Sequence, residues 1–243
     1  MIESQVTTAT ANDSARPFLT WQRILDWAQS HYRERTFAKD ERIPARPGLL
    51  YLVQRGVVRL IGAAQEGQTE ATALAGESSD ANEETFLGFV GAGQPFEMVA
   101  QSPFNLQAYA HAEKTSVIWM YWEDLDNWPH FRWEVLDAFR SQHQRKLIWL
   151  STLGQRQTID RLLGFVTLLV EEHGEKTEEG HCLPFPLTHA QIGSAIGSTR
   201  VTVTRLMGRL RQQGAISIKG DNLICLPHST LEKKLSLGDS NDL

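Results

Sequence analysis

The chain has 243 residues, with 24 lysines and arginines against 29 aspartates and glutamates and a formal net charge of −5. An apolar share of 41% supports a packed core and excludes general disorder, and the length allows one large domain or two small ones. The longest apolar run, Leu162 to Val170, is broken by Gly164 and Thr167 and is too short for a bilayer, so no membrane partner is expected. Met1 to Arg16 lacks a basic start followed by an apolar stretch, which points away from secretion and towards a cytoplasmic location. Cys182 and Cys225 lie 43 residues apart, a spacing that fits neither a disulfide framework nor a clustered metal site, so isolated reduced thiols are expected. The charge is unevenly spread. Residues 1–187 carry 17 basic and 25 acidic side chains, whereas residues 188–228 carry five basic ones (Arg200, Arg205, Arg209, Arg211, Lys219) and one acidic, Asp221. A compact basic module on an acidic body suits a polyanion, so the negative total does not exclude nucleic acid.

In chain order, residues 1–17 read as disordered. Phe18 to Tyr32, with Leu19, Ile24, Leu25, Trp27 and Ala28 roughly at helical spacing, predicts a short helix. Between Thr36 and Tyr121 come short apolar runs punctuated by Gly and Pro: Leu49 to Val53, Val57 to Ile61, Phe86 to Val90 and Ser116 to Met120. They predict several short strands, hence a sandwich or barrel. Gln54-Arg55-Gly56 reads as a tight turn with Gly56 at positive φ, and the acidic stretch Ala64 to Glu84 as a long hairpin loop. After Asp124 the pattern becomes helical: Leu136, Phe139, His143, Leu147, Leu150 and Leu153 recur every 3.4 residues on average. That is close to the repeat of a coiled-coil seam, so this helix is expected to pair with its copy in a homodimer; the alternative is a helix laid on its own strand domain. A second helix, from about Gln157 to His173, ends at Gly174 and is followed by a charged loop to Gly180.

The segment Leu187 to Leu226 carries the functional signal. Thr188 is a good N-cap, and Ile192, Ala195 and Ile196 give one short helix an apolar face. Gly197 supplies a turn in which a side chain would obstruct, and Ser198 or Thr199 caps a second helix buried through Val203, Leu206, Met207 and Leu210. This is a helix-turn-helix. By subtraction, Arg200, Val201, Thr204 and Arg205 face outward near the N-terminus of the second helix, where such helices enter a major groove. Arginine can donate two bonds to guanine, Val201 and threonine methyls can meet the thymine methyl, and Ser198, Thr199 and the helix N-terminus can hold phosphates. Ile216 to Ile218 and Leu223 to Leu226 read as a two-stranded wing with Lys219 at its tip. The DNA-facing candidates are therefore Thr188, His189, Ser198, Thr199, Arg200, Val201, Thr202, Thr204, Arg205 and Lys219, with Arg209 and Arg211 read as solvated or salt-bridged rather than base-reading.

With these residues in place, the sequence resembles the CRP/FNR superfamily of bacterial transcription regulators over residues 36 to 228. The stretch LLYLVQRGVVRL and the glycines Gly88, Gly91 and Gly93 before Phe96 resemble its β-roll; IGSTRVTVTRL and TLGQRQTIDRLLGFVTLL resemble the cyanobacterial nitrogen-regulator subgroup. The resemblance implies an α+β chain: a β-roll (double-stranded β-helix) sensor over residues 18–125, a dimerisation helix over 126–154, a winged helix-turn-helix over 155–228 and a flexible tail over 229–243. It implies a homodimeric, non-enzymatic regulator that binds double-stranded DNA palindromes and works with RNA polymerase. Arg200 and Arg205 would read bases, and Val201, where many members have Glu, would favour GTA/TAC half-sites. Leu136, Phe139, His143, Leu147 and Leu150 would hold the dimer.

The sensor is less readable. Cyclic-nucleotide binders carry a Gly-Glu pair for the ribose and an Arg-Ser pair for the phosphate; here the equivalents are Glu97-Met98 and Leu106-Gln107, so cyclic AMP is not expected, and a buried Glu97 would repel a phosphate. At the positions where the nitrogen-regulator subgroup holds 2-oxoglutarate stand Gln142, Leu147 and Ala108, with Arg145 one turn away. Glu97, Met98 and Arg145 are the effector-site candidates. Two cysteines exclude an iron–sulfur cluster, heme through His111 or His143 is disfavoured against a structural histidine, and no metal or other cofactor is expected. The competing class is a cupin-like small-molecule-binding protein or enzyme, which needs a close His pair on a strand; His111, His130, His143, His173 and His181 are scattered.

Overall fold

The computed structural model describes residues 18–64, 85–98, 104–178 and 180–228. The N-terminus and C-terminal tail read as disordered or flexible, and nearly all of the acidic hairpin loop, lie outside these residues.

The N-terminal half is a β-roll. After helix α1 (Phe18–Ser30) come β1 (Glu34–Phe37), β2 (Arg42–Ile43), β3 (Leu49–Arg55), β4 (Val57–Ala64), β5 (Thr85–Gly91), β6 (Pro95–Glu97), β7 (Phe104–Ala110) and β8 (Thr115–Tyr121). They form two antiparallel four-stranded sheets, ordered β1-β8-β3-β6 and β2-β7-β4-β5. Alternation along each strand lets the first sheet serve two layers. Tyr51 and Val53 of β3 turn inward with Phe37, Val58, Phe96 and Val117, and Leu50 and Leu52 turn outward with Ile118 and Met120 under α1 and the first turns of α2 (Pro129–Leu153). The tight turn at Gly56 has φ +79°, and a Cβ there would sit 2.6 Å from Thr115 Oγ1, so both backbone angle and space demand glycine. The short strands β1, β2 and β6 and the mixed strand β7 lack a continuous apolar run, which is why the sequence did not announce them.

Beyond a 3-10 helix at Trp122–Asn127, α2 leads to α3 (Thr158–His173), the hairpin β9 (Glu175–Thr177) and β10 (Gly180–Cys182), α4 (His189–Ile196), α5 (Arg200–Gln212), β11 (Ser217–Lys219) and β12 (Leu223–Leu226). The expected charged loop after Gly174 is thus largely a hairpin, and the wing is half of a sheet ordered β11-β12-β10-β9. That sheet overturns the reading of isolated thiols. Cys182 pairs directly with Cys225 across β10 and β12, their Cα atoms are 4.0 Å apart, and the sulfurs are bonded. Separation along the chain said nothing about distance because the intervening residues return on themselves through the helix-turn-helix.

The head and the roll share a core. Leu162 and Val166 of α3, Ile192 of α4, Val203 and Met207 of α5 and Ile224 of β12 pack in one cluster with Val57, Phe86 and Phe89 of the roll. The Phe86 N–H donates to Ser194 Oγ of α4 at 3.2 Å. Among the described residues no helix is long and apolar enough to cross a membrane.

Candidate nucleic-acid interface

The first helix of the motif starts with a reciprocal cap: the Gln191 N–H donates to Thr188 Oγ1 at 3.1 Å and the Thr188 N–H donates to Gln191 Oε1 at 3.0 Å. The sequence signal for this cap is Gln191 three residues after Thr188. The turn depends on two glycines for different reasons. Gly197 has φ +62° with nothing within 4 Å of its added Cβ, so a side chain there would meet open space, and the backbone angle is what calls for glycine. The crowded position is Gly193, where a Cβ would stand 2.7 Å from the Ser198 carbonyl oxygen. Thr199, rather than Ser198, caps α5 by accepting from the Thr202 N–H at 3.2 Å. Arg161, which the sequence did not flag, ties α3 to the motif: its Nε donates to the last carbonyl of α4, Ile196 O, at 3.1 Å.

On α5, Val203, Leu206, Met207 and Leu210 are buried, and Arg200, Val201, Thr204 and Arg205 stand on the opposite face. Val201 is 79% exposed, an apolar side chain held in water at the N-terminal end of the helix. Thr204 Oγ1 donates to Arg200 O at 2.9 Å, so the 2.8 Å contact with His189 Nδ1 requires the imidazole to donate; His189 thereby braces α5 from α4. Lys219 ends β11 at the wing. The groove between α5, the wing and the roll, about 910 Å³, is also lined by Lys39 and Asp40 of the roll, beyond the reach of the sequence reading.

The effector candidates do not converge. The alternation of β6 turns Phe96 inward and Glu97 outward, so Glu97 is exposed and accepts from Trp122 Nε1 at 3.2 Å. Met98 is buried in the roll core. Arg145 pairs with Glu172 of α3 at 3.1 Å and lines a cavity of about 240 Å³ between β5, α2 and α3. His111 is taken up structurally: its Nε2–H donates to Pro186 O at 3.0 Å and Nδ1 faces the Arg59 guanidinium at 3.5 Å. Burial, more than the neighbouring Arg59, lowers its pKa to about 4. Among the described residues no group of three or more His, Cys, Asp or Glu side chains is placed to hold a metal.

Of the seam residues, Leu136, His143, Leu147 and Leu150 are exposed along α2, whereas Phe139 turns back on Trp122, ring centroids 5.9 Å apart, and Leu153 joins the head core.

Residues 155–233 match the family described as Crp-like helix-turn-helix domain. The global nitrogen regulator of Nostoc sp. is 28% identical over 204 residues, 83% of this chain and 88% of the regulator. The global nitrogen regulator of Synechococcus elongatus is 29% identical over 169 residues, 70% of this chain and 73% of that one. In fold, the chain is similar to a CooA mutant from Carboxydothermus hydrogenoformans (TM-score 0.60, 20% identity, covering 84% and 87% of the two chains). FixK2 from Bradyrhizobium japonicum is similar too (TM-score 0.59, 20% identity, 83% and 95%). With its β-roll, long helix and winged head, the chain is similar over most of its length to these regulators, and its residues 155–233 match the Crp-like helix-turn-helix domain.

Proposed function

We propose that this chain binds a palindromic promoter site as a homodimer, each α5 entering a major groove through Arg200, Val201, Thr204 and Arg205. The observation that carries this reading is the outward, solvent-facing row of those four side chains on a helix whose opposite face is fully committed to the head core. Two such heads fit half-sites about one helical turn apart. The second subunit is called for by α2, on which Leu136, Leu147 and Leu150 remain exposed at heptad spacing beside His143. Val201 and the Thr204 methyl offer apolar contact to thymine, which favours GTA/TAC half-sites over TGTGA ones. Thr188, Ser198, Thr199 and Lys219 are assigned to the phosphates that flank the groove. The reading is of a regulator without catalytic function that acts with RNA polymerase and is open to a small effector of unassigned identity, distinct from cyclic AMP.

Binding of fluorescent duplexes by the purified chain tests this. GTA-type palindromes should bind more tightly than TGTGA-type ones, with affinity falling steeply as salt rises. Arg200→Ala with Arg205→Ala should weaken specific binding at least a hundredfold while leaving the circular dichroism and the dimer intact. Equal affinity for both palindromes, or an unimpaired double variant, would remove the reading.

A further inference from the structure

The disulfide sits in an unusual place for a DNA-binding head. It closes a loop of 43 residues that contains α4, the turn, α5 and β11, the whole DNA-facing unit, and leaves the roll untouched. Chromosomal DNA lies where thiol pools are kept reducing, and disulfides found there are more often exchange sites than permanent staples. The chain has only these two cysteines, so no third thiol competes for either sulfur.

We propose that Cys182 and Cys225 form a thiol–disulfide exchange site whose substrate is a dithiol reductant, and that its oxidation state sets the DNA affinity of the head; the second part rests on the DNA-binding reading above. Cys182 is the sulfur that is attacked. It is the less buried of the two, 5% exposed on β10 beside the edge strand β9, with Thr177 Oγ1 of β9 at 3.5 Å from its Sγ, whereas Cys225 on β12 is fully buried. A thiolate of the dithiol forms a mixed disulfide with Cys182, and Cys225 leaves as a thiolate and takes a proton. The second thiol of the reductant, deprotonated, then attacks its partner sulfur and releases Cys182, which is protonated in turn. Two electrons pass to the protein, and the dithiol becomes a disulfide.

The structural consequence follows from contact distances. Two unbonded sulfurs need about 3.5–4 Å between them. A directly opposed, non-hydrogen-bonded antiparallel pair ordinarily has Cα atoms about 4.5 Å apart; here they are 4.0 Å apart with both side chains buried, so the two free thiols are accommodated by new rotamers and a relaxation of β12 away from β10. Besides the bond, among the described residues two ladder pairs, His181 with Leu226 and Cys182 with Cys225, join these strands, the Leu183 N–H to Ile224 O bond of 2.9 Å extends the ladder by one residue, and Leu183, Ile224 and Leu226 share the head core. Cutting the covalent link therefore loosens the wing and the seat of α5 together.

The full chain is equilibrated with mixtures of reduced and oxidised dithiothreitol, its thiols are trapped with a maleimide and counted by intact mass, and hydrogen exchange of residues 217–226 and affinity for the GTA-type duplex are measured on the same samples. The expected result is a reversible two-electron transition without global unfolding, faster exchange across 217–226 in the reduced form, and at least tenfold weaker DNA binding that recovers on reoxidation. Cys182→Ala with Cys225→Ala should give one affinity that dithiothreitol does not change. Free thiols after oxidation, a bond that is reduced only when the protein unfolds, or identical exchange and affinity in the two forms would overturn the proposal. A duplex that neither form binds would instead count against the regulator reading, while the exchange site would still stand or fall on the mass and hydrogen-exchange measurements.

Discussion

His111 couples the roll to the DNA-binding head, and its burial makes that coupling sensitive to acid. The residue follows β7, is 3% exposed, and donates from Nε2 to Pro186 O of the head at 3.0 Å. Phe89 of the roll and Phe185 of the head pack against its ring, with centroids 4.7 and 5.2 Å away. The charged groups facing it are Arg59 and Lys39, which oppose protonation, and Asp40, which favours it; desolvation is the largest influence, and the pKa falls from 6.5 to about 4. Because the folded value is depressed, the unfolded chain binds more protons between these two values. The stabilisation is therefore complete above pH 6.5 and is lost as pH falls towards 4. Linkage puts the loss at about 2 kcal/mol by pH 5 and about 3 kcal/mol by pH 4. His173 at the end of α3 changes in the same direction, lowered by burial against the opposing pull of Glu172, with Arg145 adding to the lowering. The perturbation is His111→Gln, whose amide can donate to Pro186 O and accept from Arg59 without titrating. Urea unfolding from pH 8 to pH 4.5 should give a wild-type minus variant difference that is flat above pH 6.5 and falls below it. Parallel pH profiles, or an NMR titration placing His111 above pH 6, would refute the reasoning.

The two glycines of the turn and the cap of α5 supply three further tests. Gly193→Ala forces a Cβ to within 2.7 Å of Ser198 O and should destabilise the chain by about 1–3 kcal/mol with a parallel loss of DNA affinity, read by urea unfolding and duplex titration. Gly197→Ala meets no neighbour but must hold φ +62°, so it should cost about 1–2 kcal/mol without displacing α4. Thr199→Ala removes the acceptor for the Thr202 N–H and should cost about 1 kcal/mol, with Thr199→Asn restoring most of it in the same unfolding assay.

Several features were decided locally and so were open to sequence reading. The inward row Val203, Leu206, Met207 and Leu210 fixes by subtraction which side chains of α5 face outward, because a helix of 3.6 residues per turn has one buried stripe once its apolar residues are placed. The Thr188 cap, the glycine turn and the long helical repeat are equally local, since caps and turns depend on backbone groups only a few residues away. What needed the tertiary structure were relations between distant segments. Alternation at β6 had to be registered against β3 before Glu97 could be assigned to the outside. The heptad of α2 did not reveal that Phe139 and Leu153 are claimed by the chain's own roll and head. Most plainly, a 43-residue separation suggested two lone thiols, and an antiparallel pairing of β10 with β12 made them one bond. Side-chain periodicity reports which face of an element is buried; only the packing of elements reports what it is buried against.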